Sequence, residues 1–440
     1  MSRKYLSLLL VVAVALAALA AFGVAGAQDD MAESAIVCPE GPAELTVAGG
    51  AVGAEREFMQ TLAANFNEAC PDVTFEVLEM PDSASERLAL YLQFWEAESA
   101  DVDLFQVDVI WPGIIEPHVV DMNEYLTQEE TDMYFPDLIA AQTVGEKLVA
   151  LPWFVDAAGM YFRTDLLEQC GVEVPATWDD VAAAAQAVQD CVREDTGNED
   201  FWGYVWQGND YEGLTCDAHE WLVAETGETF ISAEGEVNVL DERWITALER
   251  ATDWVGTVSP DGVTSYQEEE SRNVFQAGNA AFMRNWPYAW NLGQGEDSVV
   301  AGLIDYVPLP TGDVRAAACL GGWQMAVSRY SDNVDAAAAF AKYVTSYEGQ
   351  VLHATIIGNN PTMPSVYEDE ALADDVLFSR MGPIVATAYA RPSGVTAERY
   401  NEASALFSAA VHDVITGQTD ALTAMEDLEL DLEDLLADME

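Results

Sequence analysis

The chain has 440 residues, with 17 Lys+Arg against 77 Asp+Glu and a formal net charge of −60. At 50% hydrophobic and 10% aromatic it can build sizeable cores in about two or three domains, which excludes disordered and low-complexity classes. The acid excess leaves no basic stripe for nucleic acid and no face for an anionic membrane. Lys4, Lys147 and Lys342 are the only lysines, and so acidic a surface is hydrated and self-repelling, an effect that external salt screens.

Arg3 and Lys4 precede an apolar stretch from Tyr5 to Val24, and Ala25-Gly26-Ala27 follows as a small-residue cleavage site. Residues 1–27 therefore read as a signal peptide cleaved after Ala27, which predicts an exported chain, periplasmic or extracellular. No later segment is long and apolar enough to span a bilayer. The six cysteines, Cys38, Cys70, Cys170, Cys191, Cys216 and Cys319, suit disulfides in an exported chain, and their spacing alone leaves every pairing open. With no C-x-x-C and with His118, His219, His353 and His412 scattered, no metal site is expected.

In chain order, residues 44–48 predict a strand and Phe58, Met59, Leu62, Ala63 and Phe66 a helix that Pro71 stops. Val73, Phe75 and Val77 alternate as a strand, Leu88, Leu92 and Trp95 mark a helix, and 104–107 is the next strand. This rhythm predicts a parallel α/β sheet. A second cluster begins near Pro152. It has a strand over 157–162 and a helix through 181–192 whose start is marked by Thr177 and Asp180. A strand follows at 204–206, then helices near Trp221 and over 244–254. Residues 307–310 read as a linker-like strand, 334–349 as an Ala-rich helix, and 397–440 as helical. Crossing points fall near 152–158, 305–310 and 357–364. A chain that crosses three times between two α/β lobes makes a hinged clamshell.

The chemistry lies in aromatic and carboxylate clusters. Asn285-Trp286-Pro287-Tyr288-Ala289-Trp290 is an aromatic run, bracketed by Arg284 and Asn291, that its proline keeps from a regular helix, so a loop near solvent is expected. Leu320-Gly321-Gly322-Trp323 offers two glycines where backbone can approach a ligand or turn tightly. Asp108 and Asp156 stand at strand ends, which in α/β sheets face the ligand crevice. Glu55 and Arg87 start helices after short loops, where each singly reads as a surface charge, and Arg391 is one of few cations. Carboxylates and guanidinium groups bond vicinal hydroxyls, and Trp and Tyr faces pack on sugar rings. The inventory fits a carbohydrate and no cofactor. No phosphate-binding Gly-rich loop and no Gly-x-Ser-x-Gly elbow is present.

Residues 103–113, 152–167 (PWFVDAAGMYFRTDLL), 206–214 (WQGNDYEGL), 285–290 (NWPYAW) and 320–323 (LGGW), in this order, resemble family 1 extracellular solute-binding proteins, in particular the trehalose/maltose-binding branch of ABC sugar importers. The resemblance implies an α/β, two-lobed periplasmic-binding-protein clamshell with a three-crossing hinge. Residues 28–153 with 309–357 would form the amino-terminal lobe, and 156–306 with 362–440 the carboxy-terminal lobe. It implies an α-linked disaccharide in the cleft, held by Glu55, Arg87, Asp108, Asp156, Trp286, Tyr288, Gly322, Trp323 and Arg391. It also implies delivery by a monomer to ABC permease subunits, without catalysis. After Arg391, Pro392-Ser393-Gly394-Val395 departs from the family's more proline-rich pattern. In such a fold three disulfides are expected: Cys170–Cys191 between consecutive helices, Cys216–Cys319 between two cleft motifs, and Cys38–Cys70 at one sheet edge. Asp108 and Asp156 are expected to stay ionised near neutral pH, held so by hydroxyl donors and Arg87 or Arg391. An extracellular glycoside hydrolase using the same carboxylates, and a sugar sensor without transport, are the competing readings.

Overall fold

A computed structural model describes residues 36–296 and 298–439. The expected signal peptide lies outside the described residues. Among the described residues no helix is long and apolar enough to cross a membrane.

The first part alternates as expected: β1 (Ala43–Gly49), α1 (Glu55–Ala69), β2 (Val73–Glu79), α2 (Ala84–Glu96) and β3 (Leu104–Asp108). Period-two alternation sends Leu45, Val47 and Leu104 to one face, where they meet Phe58, Leu62 and Phe66 of α1. Ala48, Phe105 and Val107 go to the other face, against Leu88, Tyr91 and Trp95 of α2. Ser83 caps α2 by accepting from the Glu86 amide at 3.3 Å.

Apart from a small hairpin of Thr143–Val144 with Lys147–Leu148, the strands that complete two larger sheets are β4 (Leu151–Ala157), β5 (Gly159–Arg163), β6 (Trp202–Val205), β7 (Ala280–Asn285), β8 (Ile304–Pro308), β9 (Ala318–Val327), β10 (Asn360–Pro361) and β11 (Ala388–Tyr389). The first sheet has the order β10-β4-β9-β3-β1-β2, with β11 beside β9, and the second the order β8-β5-β7-β6. β1 pairs in parallel with β2 and β3, as expected, but β9 enters antiparallel between β3 and β4, so the sheet is mixed. The strand expected over 157–162 is two strands, which join different sheets on either side of Ala158.

The chain passes to the second sheet between β4 and β5 and returns between β8 and β9. Residues just before β9 still lie on the second half: the Thr311 amide donates to the Ala176 carbonyl and the Asp313 amide to Glu225 Oε2, each at 2.9 Å. After β10 the chain goes back, and Arg380 pairs with Asp305 of β8 at 2.9 Å. The second half holds α3 (Trp178–Thr196), capped by Thr177 as expected, and α4 (Glu212–Thr226). Its core includes Trp178, Trp206, Trp221 and Trp254, packed edge to face in part.

Two further expectations change. The helix expected over 334–349 is two helices, Val334–Val344 and Tyr347–Ile356. Ser346 starts the second by accepting from the Gly349 amide at 3.2 Å. Cys38–Cys70 and Cys170–Cys191 are disulfides, but the expected Cys216–Cys319 bond is absent. Both are buried free thiols with sulfurs 3.1 Å apart.

Candidate ligand-binding site

The register of β9 gathers the site. Trp323 lies opposite Asp108 of β3 on one side, and Gly321 lies opposite Asp156 of β4 on the other. Gly322 has φ +127°, and a Cβ there would stand 2.4 Å from the Phe154 carbonyl oxygen. Only glycine allows this approach. The glycines are thus mid-strand rather than a turn. A Cβ on Gly321 would meet the Trp286 ring at 3.1 Å, so the bare strand is what admits that ring from the second half.

A narrow cavity of about 70 Å³ opens here. Glu55, Asp108, Asp156, Trp286, Tyr288, Gly322, Trp323 and Arg391 all line it. Arg87 does not line it. Its guanidinium carbon sits 4.1 Å from the centre of the Trp323 ring, and its Nε and Nη2 donate to the Pro81 carbonyl at 3.1 and 3.0 Å. Arg87 and Glu55, which singly read as surface charges, are both buried.

The aromatic run is not a loop near solvent. Pro287 is the N-cap of a short helix, Tyr288–Gly293, a position where its missing N–H costs nothing. Trp286 Nε1 donates to Glu268 Oε1 at 3.3 Å, and the Tyr288 hydroxyl donates to Glu269 Oε1 at 2.7 Å. Under Trp286 lies Arg284, its guanidinium carbon 4.2 Å from the ring centre, paired with Asp217 and Glu220 at 2.6 Å each.

Arg391 is the most connected cation of the site. Nη1 donates to Glu212 Oε1 at 2.5 Å, and Nη2 to Asp108 Oδ1 at 3.3 Å and the Leu320 carbonyl at 3.1 Å. Glu212 also accepts from the Tyr400 and Ser404 hydroxyls, at 2.7 and 2.5 Å. Asp108 thus joins β3 of the first sheet to α4 through one guanidinium. Close by, the Glu212 amide donates to the Ser85 hydroxyl at 3.2 Å.

The expectation that both aspartates stay ionised is corrected. Burial outweighs Arg391 and raises Asp108 to about 6, so it is charged at pH 7 and loses that charge just below. Asp156 has no arginine to offset burial, and Glu55 beside it pushes the same way. Its carboxyl is raised well above the usual range. Burial, offset in part by Arg87 and Gln106, raises Glu55 to about 7. Glu55 Oε2 and Asp156 Oδ1 are buried without a hydrogen-bond partner in the protein.

Sequence reasoning missed Asp82, Tyr211, Glu212, Glu268 and Asn359, which also line the cavity. Tyr211 and Glu212 fall inside the WQGNDYEGL segment, which carried the signal without identifying them. Glu268 opens a run of three glutamates and nothing in the run marks it. Among the described residues no cluster of His, Cys, Asp and Glu could hold a metal ion.

Residues 50–351 match the family model described as bacterial extracellular solute-binding protein. A probable ABC transporter-binding protein of Deinococcus radiodurans is 42% identical over 359 residues, covering 81% of this chain and 85% of that protein. The structure of maltose-bound MalE3 of T. maritima superposes with a TM-score of 0.84 at 35% identity, over 90% of this chain and all of that one. The GacH receptor of Streptomyces glaucescens, solved unliganded and with acarbose, shares the fold with a TM-score of 0.79 at 23% identity, over 90% of this chain and 99% of that one. The chain belongs to the bacterial extracellular solute-binding proteins and has their two-lobed α/β fold.

Proposed function

We propose that the protein binds an α-linked disaccharide of the trehalose or maltose type between its lobes and delivers it, as a monomer, to the permease subunits of an ABC importer. The observation that carries this reading is the pairing of two tryptophans with two unsatisfied carboxyls in one cavity. Trp286 and Trp323 offer ring faces for sugar C–H faces, and Glu55 Oε2 and Asp156 Oδ1 lack protein partners. Sugar hydroxyls both donate and accept, so they satisfy a protonated carboxyl as readily as an ionised one. The likeness to a maltose-bound structure at 35% identity supports the same ligand class. The likeness to a probable ABC transporter-binding protein supports the importer.

The three passages between the sheets act as the hinge in this reading. Ligand that touches both halves binds the closed form better and shifts the population toward it. Mass spectrometry of sugar released from freshly purified protein, backed by a calorimetric disaccharide panel, tests the ligand class. Recovery of a polyol or monosaccharide alone would replace the disaccharide.

One observation favours a second reading. Burial raises Asp156 well above the usual carboxylate range while Arg391 holds Asp108 back at about 6, and a glycosidase acid and its partner need such an unequal pair. Family membership weighs against it, and a glucose-release assay on maltose and trehalose separates the two.

A further inference from the structure

We propose that Cys216 and Cys319 are a redox modification site: a dithiol in the wall of the cleft that closes to a third intramolecular disulfide by exchange with a disulfide-bearing oxidant. The proposal rests on covalent chemistry and stands apart from the ligand reading.

The other four cysteines are already bonded, Cys38 with Cys70 and Cys170 with Cys191. The sulfurs of Cys216 and Cys319 lie 3.1 Å apart, so a bond of about 2.05 Å needs an approach of only about 1 Å. Regular structure holds both residues. Cys216 is in the second turn of α4, and Cys319 is the second residue of β9. The Cys319 amide donates to Glu220 Oε1 at 3.0 Å, and Glu220 lies one turn beyond Cys216 on the same helix. Strand and helix are therefore already in register beside the sulfurs.

The position links the bond to the cleft. Glu212, one turn before Cys216, holds Arg391, and Leu320, next to Cys319, accepts from the same guanidinium. A disulfide would tie the helix that carries Glu212 to the strand that carries Gly321, Gly322 and Trp323. Cys216 lines the cavity, which gives an oxidant its route. Burial pushes the Cys216 thiol up and the neighbouring Cys319 adds to this, while Arg391 pulls the other way. The thiolate fraction is small at neutral pH, so closure is slow there and faster in alkali.

The exchange balances in two steps. One cysteine, as thiolate, attacks the oxidant's disulfide, forming a mixed disulfide and expelling one thiolate. The second cysteine's thiolate then displaces the other half. The pair gives up two electrons and two protons in all, and the oxidant leaves as two thiols.

The test incubates the folded protein with oxidised glutathione at pH 8.5, alkylates it, digests it without reduction and maps the peptides by mass spectrometry. We expect a Cys216–Cys319 linked peptide two hydrogens lighter than the sum of the reduced peptides, with both other disulfides intact. Protein that is already bridged when purified supports the proposal equally. The unfolding midpoint should rise by roughly 5 °C on closure, because the bond restrains a long loop of the unfolded chain. Cys216→Ser, and Cys319→Ala as a second variant, should abolish both the linked peptide and the rise. Two alkylated thiols after incubation, or a stable mixed disulfide that never resolves, would overturn the proposal.

Discussion

The Arg284 guanidinium carbon lies 4.2 Å from the centre of the Trp286 ring, fully buried and paired with Asp217 and Glu220. Arg87 stands in the same relation to Trp323, at 4.1 Å. Each tryptophan of the cavity is thus backed by a buried arginine, one from each half of the molecule. The cation–π contact orients the ring before any ligand arrives, which reduces the ordering cost of binding.

Trp286→Ala and Trp323→Ala should each weaken disaccharide binding by about 2–4 kcal/mol, as truncations of central aromatic anchors do. Circular dichroism should show an intact fold. Unfolded variants would instead make the rings core residues, and native affinity in folded variants would remove them from the site.

The two aspartates should respond differently to amidation. Asp108 is charged at pH 7 and pairs with Arg391, so Asp108→Asn should cost about 1.5–3 kcal/mol, a tenfold to hundredfold loss of affinity. Burial and Glu55, with no arginine to offset them, favour the neutral form of Asp156, so Asp156→Asn should cost much less, while Asp156→Ala should cost more than Asp156→Asn. Titration calorimetry at pH 7 decides. Equal losses for both Asn variants would mean that Asp156 is ionised in the complex.

Glu55 makes the protein's stability pH-dependent. Its folded-state pKa is raised from 4.5 to about 7, so the native state holds this proton where the unfolded state has released it. Its contribution is fully present below about pH 4.5 and is lost as pH rises through 7, a swing of about 3 kcal/mol. Glu55→Gln should therefore match wild type near pH 4 and exceed it by up to about 3 kcal/mol at pH 8. Denaturant unfolding at both pH values checks this. An unchanged difference between them would return Glu55 to an ordinary carboxylate.

Much of this was legible in the sequence, for local reasons. Asp108 and Asp156 could be found because each ends an apolar strand, and Trp286 and Trp323 because each sits beside Pro or Gly within an unusual aromatic segment. The rest depended on distant pairing. The antiparallel entry of β9 between β3 and β4 joins residues more than 150 apart, and no local pattern encodes it. Arg87 read as a surface charge because nothing nearby shows that Trp323 covers it. Arg284 was seen only as a flank of the aromatic run. The free state of Cys216 and Cys319 depends on about 1 Å of sulfur separation, which sequence does not specify.

Hinge closure should be visible in solution. Small-angle scattering should give a smaller radius of gyration at saturating disaccharide than without it. An unchanged radius would count against closure as the response to ligand.

The most direct measurement of the central claim is titration calorimetry with maltose and trehalose, followed by chemical analysis of the sugar recovered from the cell. The account predicts saturable one-to-one binding of at least one of them and recovery of the disaccharide intact after days, with no free glucose. No heat with either sugar, or sustained glucose release abolished by Asp108→Asn while sugar still binds, would contradict it.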